Sequence, residues 1–476
     1  MLFNSYKFIF FLIFFFVIYW MVPKKYQWTV ILISGILFYM SSSPVYILLV
    51  FSDILVTYFS ALLIEKYPGN KKISLTLSLI VCIGILFTYK YFNFFNDSLS
   101  FLAGCIGISF KPYALRLLLP VGISFYTFQT LSYAIDVYKG DSKTEHNLFQ
   151  YAAFILFFPQ LVAGPIERAE HLLPQIKKEH VYDHDVIVYG LKLMMWGFFK
   201  KVVIADNLGV IVDTVYDNLH EYSGFVLVIA AILFSIQIYC DFSGYSDIAR
   251  GTAGLFGIDL MLNFRSPYFS SSVTEFWERW HISLSQWIRD YIYIPMGGNR
   301  KGKLRKRVNL FVSFLVSGIW HGANITFIFW GILHGSLRVL EDITGWRKKA
   351  GSNKWLKVLS VCVTFILVSI LWIFFRADTI GDALYVLTNW QNGILGGESY
   401  LIRGFTDANV GRINPFVLLF SLMILALYDY TDDKKSVIGI VSGCRPVFRW
   451  MCYYGIVLFI VFFGNFGSNP FVYFQF

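Results

Sequence analysis

Two histidines in the second half of the chain stand in patterns that could do chemistry. His281 closes the run Glu275-Phe276-Trp277-Glu278-Arg279-Trp280-His281, and His321 lies in Ser317-Gly318-Ile319-Trp320-His321-Gly322-Ala323-Asn324. Between them sits a cluster of positive charge: Arg300, Lys301, Lys303, Arg305, Lys306 and Arg307. His321 falls inside an apolar stretch, residues 308–335, long enough to lie in lipid. Ionisable side chains at that depth are costly and mark function by default. Low-dielectric surroundings favour the uncharged imidazole, which can then accept a proton. That suits a general base acting on a hydroxyl. The alternative is a core histidine satisfied by a backbone carbonyl. Trp320 and Asn324 weigh toward chemistry, because on a continuous helix Asn324 would lie one turn from His321 and could orient it.

The charge around His321 constrains the path of the chain. Residues 300–307 and 338–357 are both basic, and both prefer the cytoplasm. A single crossing between them would leave one basic loop outside. A segment that enters and turns back keeps both inside, and Gly318 with the Gly322 to Asn324 region would permit the bend. Counted from Val308, His321 lies roughly 20 Å along a helix, deep in a hydrocarbon core about 30 Å thick. Either path buries it.

His281 has other neighbours. Trp277, Trp280, Trp287 and Tyr291 are interleaved with Glu275, Glu278, Arg279, Arg289 and Asp290. Such mixing suits a membrane interface, so an anchor helix competes with a functional site here. Thr274, with Glu278 nearby, reads as the helix start. His334 is a third candidate, near the basic end of its segment.

The elements that must position these residues are membrane helices. The chain is 57% hydrophobic and only 15% charged, against about 25% charged in soluble domains. Apolar runs at 8–22, 28–40, 45–64, 73–95, 358–375, 415–428 and 450–466 read as helices, with Lys-rich loops at 24–27 and 65–72 inside and residue 1 outside. Residues 377–413 are polar and fall outside. The middle resists counting: 115–135 carries Pro120 and Gly122, 148–163 breaks at Gly164-Pro165, 186–199 ends at Lys200-Lys201, and 225–239 gives way to Asp241, Ser243, Tyr245 and Asp247. Broken helices are tolerated at membrane depth only inside protein or beside a watery cavity. The expected class is an all-α polytopic membrane protein, residues 1–476 forming one domain, with about 11–13 hydrophobic helices, some re-entrant.

Other features exclude other classes. The net charge of +10 is what basic cytoplasmic loops supply and does not imply nucleic acid. The six cysteines show no ligand spacing, read as small apolar residues, and suggest no metal. Residues 8–22 lack a cleavage site and read as a retained helix. A transporter or flippase would also have broken helices and buried polar groups, but no paired repeat appears.

The longer motifs carry a resemblance. Phe276 to Ser285, followed by Arg289-Asp290-Tyr291-Ile292-Tyr293-Ile294-Pro295-Met296-Gly297-Gly298-Asn299-Arg300, resembles the membrane-bound O-acyltransferase family in its bacterial polysaccharide O-acetyltransferase branch. Gly318 to Asn324 resembles that family's segment around its catalytic histidine. Asp241-Phe242-Ser243-Gly244-Tyr245-Ser246-Asp247, the opening Met1 to Ser5 and the closing Phe471 to Phe476 are similar as well. The resemblance implies a central tunnel in which an acyl group passes from a thioester to a hydroxyl. It implies His321 and His281 as catalytic residues, with Trp320, Asn324, Asp241, Tyr245, Trp277 and Arg289 binding substrate or supporting them. It implies acetyl-CoA as donor substrate with no permanently bound cofactor, and a multi-pass place in the bacterial inner membrane. The acceptor would be an exported polysaccharide, or an extracytoplasmic acetyltransferase- or esterase-like partner. D-alanyl transfer to teichoic acid and peptidoglycan O-acetylation are the alternatives within the same resemblance.

Overall fold

The computed structural model describes residues 1–42, 44–109, 113–351, 353–408, 414–467 and 471–472. Every regular element among them is helical. Among the described residues six helices are long and apolar enough to cross a membrane: Ile47–Lys66, Pro68–Cys105, Phe225–Leu255, Lys354–Arg376, Pro415–Asp432 and Pro446–Phe463. The protein is an all-α, multi-pass membrane protein, as the apolar runs predict. Ser43, residues 409–413 of the expected outer loop, and residues 473–476 of the closing motif lie outside the described residues.

Helix starts follow local chemistry. Ser5 accepts from the Phe8 N–H at 3.3 Å, Asn147 from those of Phe149 and Gln150 at 3.0 and 3.2 Å, and Asn324 from that of Thr326 at 3.1 Å. Each gives a partner to a first-turn N–H that has none within the helix.

The chain forms two compact units. The first comprises residues 1–191 and 249–261. Inside it Asp53 is fully buried and accepts from Thr127 Oγ1 at 2.8 Å, while Thr57 meets Tyr151 Oη at 2.8 Å. Close approach here needs glycine: a Cβ on Gly35 would sit 1.9 Å from the Leu156 carbonyl oxygen. The apolar run 148–163 is helical only over Leu148–Ile155, then passes through turns before Gly164-Pro165.

The second unit, residues 192–248 and 262–476, holds both candidate histidines. Two expectations are corrected in it. The helix does not break where the apolar run ends at Lys200-Lys201, because the chain continues through a π-helical segment, Phe199–Ala205, into Asp206–Asp217. Nor does it break where the run 225–239 gives way to polar residues, since one helix spans Phe225–Leu255. The two corrections share a cause. Gly197 and Gly244 let the backbones meet, a Cβ on Gly197 falling 2.7 Å from the Gly244 carbonyl oxygen. The lysines of one segment then pair with Asp241 and Asp247 of the other and with Asp206 of their own. Lys200 Nζ reaches Asp247 at 2.7 Å and Ser243 Oγ at 2.9 Å; Lys201 Nζ reaches Asp206 at 2.8 Å and is hydrogen-bonded to Asp241. Paired charges can remain helical and buried where unpaired ones could not.

Candidate active site

Residues 302–344 form a helical hairpin. Gly302–His321 runs up, the chain turns over Gly322 to Asn324, and Ile325–Thr344 runs back. The two arms form a hairpin, the path that a segment entering and turning back would need. Its two basic ends meet: Lys306 is bonded to Asp342, and Arg307 Nε lies 3.0 Å from the same carboxylate. The arms touch through glycine. A Cβ on Gly318 would lie 2.3 Å from the Phe327 carbonyl oxygen, and one on Gly331 2.6 Å from that of Phe314. Gly318 thus serves contact between the arms, while the bend itself falls at Gly322 to Asn324.

His321 is the last residue of the ascending arm and is buried. Its ring packs against Trp320, Trp330 and Phe375, with centroids 5.1, 5.0 and 5.2 Å away. Asn324 does not sit a helical turn from it, as a continuous helix would require. The helix ends first, and Asn324 caps the returning arm while its Nδ2 donates to the Asp378 carbonyl at 2.8 Å. The expectation that Asn324 orients His321 from the next turn is overturned by that break.

His281 stands between two short helices, Val273–Arg279 and Ile282–Ile288, at φ 42° and ψ 55°. A left-handed backbone at a non-glycine residue costs about 1–3 kcal/mol and persists where its surroundings over-determine it. They do so here. Ile282 N–H donates to the Asn263 carbonyl at 2.9 Å, and Arg265 N–H to that of Arg279 at 2.9 Å. The helix start is Ser272, not Thr274, for the Ser272 hydroxyl accepts from the Glu275 N–H at 3.1 Å. Glu341 of the hairpin adds a carboxylate that accepts from Val273 N–H at 2.6 Å and Thr274 N–H at 2.8 Å. Those N–H groups lack partners within their helix and lie at its positive end, so the bond fastens the His281 segment to the hairpin. The interfacial-anchor reading also fails, because Trp277, Trp280 and Trp287 are all buried.

A continuous ladder of rings joins the histidines. His281 lies 6.0 Å from Trp320, Trp320 5.1 Å from His321, His321 5.0 Å from Trp330, and Trp330 4.7 Å from His334. His334 is wholly buried rather than set at the basic end, and Trp277 Nε1 donates to its Nδ1 at 3.3 Å. Phe242 packs on His281 at 4.7 Å. Of the remaining candidates, Asp241 is buried and accepts from Lys201 and, at 2.8 Å, from the Val472 N–H. Tyr245 packs on Phe471 at 4.5 Å. Both lie on the helix that carries Phe242, where Asp241 joins the ion network and Tyr245 meets Phe471. Arg289 is half-exposed and paired with Asp290 at 2.7 Å, and no described contact brings it to the ladder.

The sequence reading missed Lys200, Lys201, Asn263 and Trp330. Four polar residues in Asp241 to Asp247 within an apolar helix were a signal that cations must lie nearby. Asn263 gave no signal, since its partners are distant in the chain.

A buried histidine at the hairpin tip is thus joined to a second one through aromatic rings in an apolar setting. Residues 141–375 match MBOAT, the membrane-bound O-acyltransferase family. The chain is 36% identical to the probable alginate O-acetylase AlgI of Pseudomonas aeruginosa, across 90% of this chain and 81% of that protein. It is 38% identical to the AlgI of Pseudomonas syringae pv. tomato, across 92% and 84%. A peptidoglycan O-acetyltransferase of Helicobacter pylori is 34% identical, across 83% and 79%. This chain belongs to the membrane-bound O-acyltransferase family and is a membrane acyltransferase.

Proposed function

We propose that the protein transfers an acetyl group from cytosolic acetyl-CoA, across the bacterial inner membrane, to a hydroxyl of an exported polysaccharide or of an extracytoplasmic carrier protein. The observation that carries this reading is His321, buried at the hairpin tip among Trp320, Trp330 and Phe375. His321 takes the proton of the acceptor hydroxyl as that oxygen attacks the thioester carbonyl. The C–O bond forms, the C–S bond breaks, and the thiolate of coenzyme A leaves on the cytoplasmic side. A placed general base contributes about 10²–10⁴-fold. Positioning and hydrogen bonds to the developing oxyanion supply the rest. The basic residues 300–307 begin the hairpin at the end proposed as cytoplasmic, where the donor's phosphates would approach. The resemblance to alginate O-acetylases supports a glycan acceptor; the Helicobacter relative supports peptidoglycan as the second reading.

The test is His321→Ala in purified protein, assayed with labelled acetyl-CoA and candidate glycans. Transfer should fall by at least the base's share, about 10²-fold. Near-normal turnover removes His321 from the mechanism. Transfer to peptidoglycan fragments, with none to exported polysaccharide, selects the second reading.

A further inference from the structure

Two hydrogen bonds in the ladder decide where the imidazole protons sit. Asn263 is fully buried, and its Oδ1 faces Ser283 N–H at 3.3 Å, Ser283 Oγ at 2.7 Å and His281 Nδ1 at 3.3 Å. A backbone N–H can only donate, so the Asn263 atom opposite it must be the oxygen. That oxygen has no hydrogen to give. His281 Nδ1 must therefore carry the proton, or two lone pairs would face each other between two fully buried side chains. In the neutral ring Nε2 then holds the lone pair. At His334 the reverse holds: the Trp277 indole N–H only donates, so His334 Nδ1 accepts and the proton lies on Nε2. The rings on either side of His321 along the ladder are set as opposite tautomers.

We propose that Asn263 is a positioning residue that holds His281 as its Nδ1–H tautomer, so that Nε2 accepts a hydrogen bond from the attacking hydroxyl. This rests on the acetyl-transfer reading for the identity of the hydroxyl, but not for the tautomer. A lone pair at Nε2 cannot polarise the thioester carbonyl, which needs a donor. It can take the hydroxyl's hydrogen bond and aim the oxygen. His281 thereby belongs to the acceptor side of the reaction rather than to the donor side.

The test has two arms. Protein labelled with ¹⁵N-histidine, reconstituted in lipid, is examined by solid-state NMR, and the His281 signal is identified by its loss in His281→Asn. The expected spectrum has Nδ1 protonated and Nε2 bare; a protonated Nε2 overturns the proposal. This arm needs no turnover, so it stands or falls independently of what His321→Ala shows. In the second arm Asn263→Asp, which keeps an accepting oxygen, is compared with Asn263→Leu, which removes it. The leucine variant should raise the acceptor KM by about tenfold, the loss of one hydrogen bond, and leave the acetyl-CoA KM unchanged. Asn263→Asp should restore the acceptor KM. A rise in the acetyl-CoA KM instead, or no difference between the two variants, overturns it. Should His281→Asn not fold, the second arm decides alone.

Discussion

At the scale of the residue, the second unit depends on buried charges that the chain had to bring together from distant segments. Lys201 is enclosed with Asp206 and Asp241, and Lys200 with Asp247. Removing one partner of such a set leaves a charge without water or counter-ion. Lys201→Met should cost roughly 3–5 kcal/mol of stability, and Lys201→Arg much less. Thermal unfolding in detergent measures both; equal melting temperatures for wild type and Lys201→Met would show that the network is not supporting the fold. The doublet Lys200-Lys201 looked like a helix end because lysines commonly mark the cytoplasmic boundary of a span. Position in the chain could not reveal that Asp241 and Asp247, on a different helix, would join Asp206 in neutralising them.

At the scale of the element, the hairpin is a packing problem solved with glycine. Gly331→Ala places a methyl where 2.6 Å separates it from the Phe314 carbonyl oxygen, and overpacking of this kind costs about 1–3 kcal/mol. Because the arms carry His321 and Trp330, activity should fall along with the melting temperature; full activity at normal stability would mean the arms separate freely. A second element gives a pH dependence. On the short helix Ala169–Lys177, His171 Nδ1 lies 2.8 Å from Glu167, whose hydrogen bond raises the His171 pKa above its usual value while partial burial opposes the rise. Burial raises the Glu167 pKa. Both groups hold a proton more tightly folded than unfolded. His171's stabilisation is complete below its unfolded pKa, about 6.5, and is lost as pH rises through the higher folded value. The melting temperature should decline across that rise, and His171→Gln should flatten the decline. An identical pH dependence in the variant would rule the pair out as its cause.

At the scale of the whole molecule, the prediction concerns sidedness. Lys306 and Arg307 meet Asp342, so both ends of the hairpin lie together, and the positive-inside rule assigns them to the cytoplasm. Single cysteines at Lys303 and Lys348, in a background without the native six, should both react with an impermeant maleimide only after the cytoplasmic face is opened. Labelling of the two from opposite faces would refute the proposed orientation.

The sequence by itself determined the class of protein and the locations of His281 and His321. Apolar run length, sparse charge and basic loops are set by the bilayer, which acts on each segment separately and so leaves a legible record. Long motifs around both histidines carried the family. Tertiary structure alone decided the rest: that Asn324 caps a new helix, that Arg289 pairs with Asp290, that His334 closes an aromatic ladder, and that Asn263 faces His281 Nδ1. Each of these turns on where a helix ends or on which group a side chain meets. Hydrogen bonds and ion pairs between remote segments have no period and no local composition, and only folding brings the partners within reach.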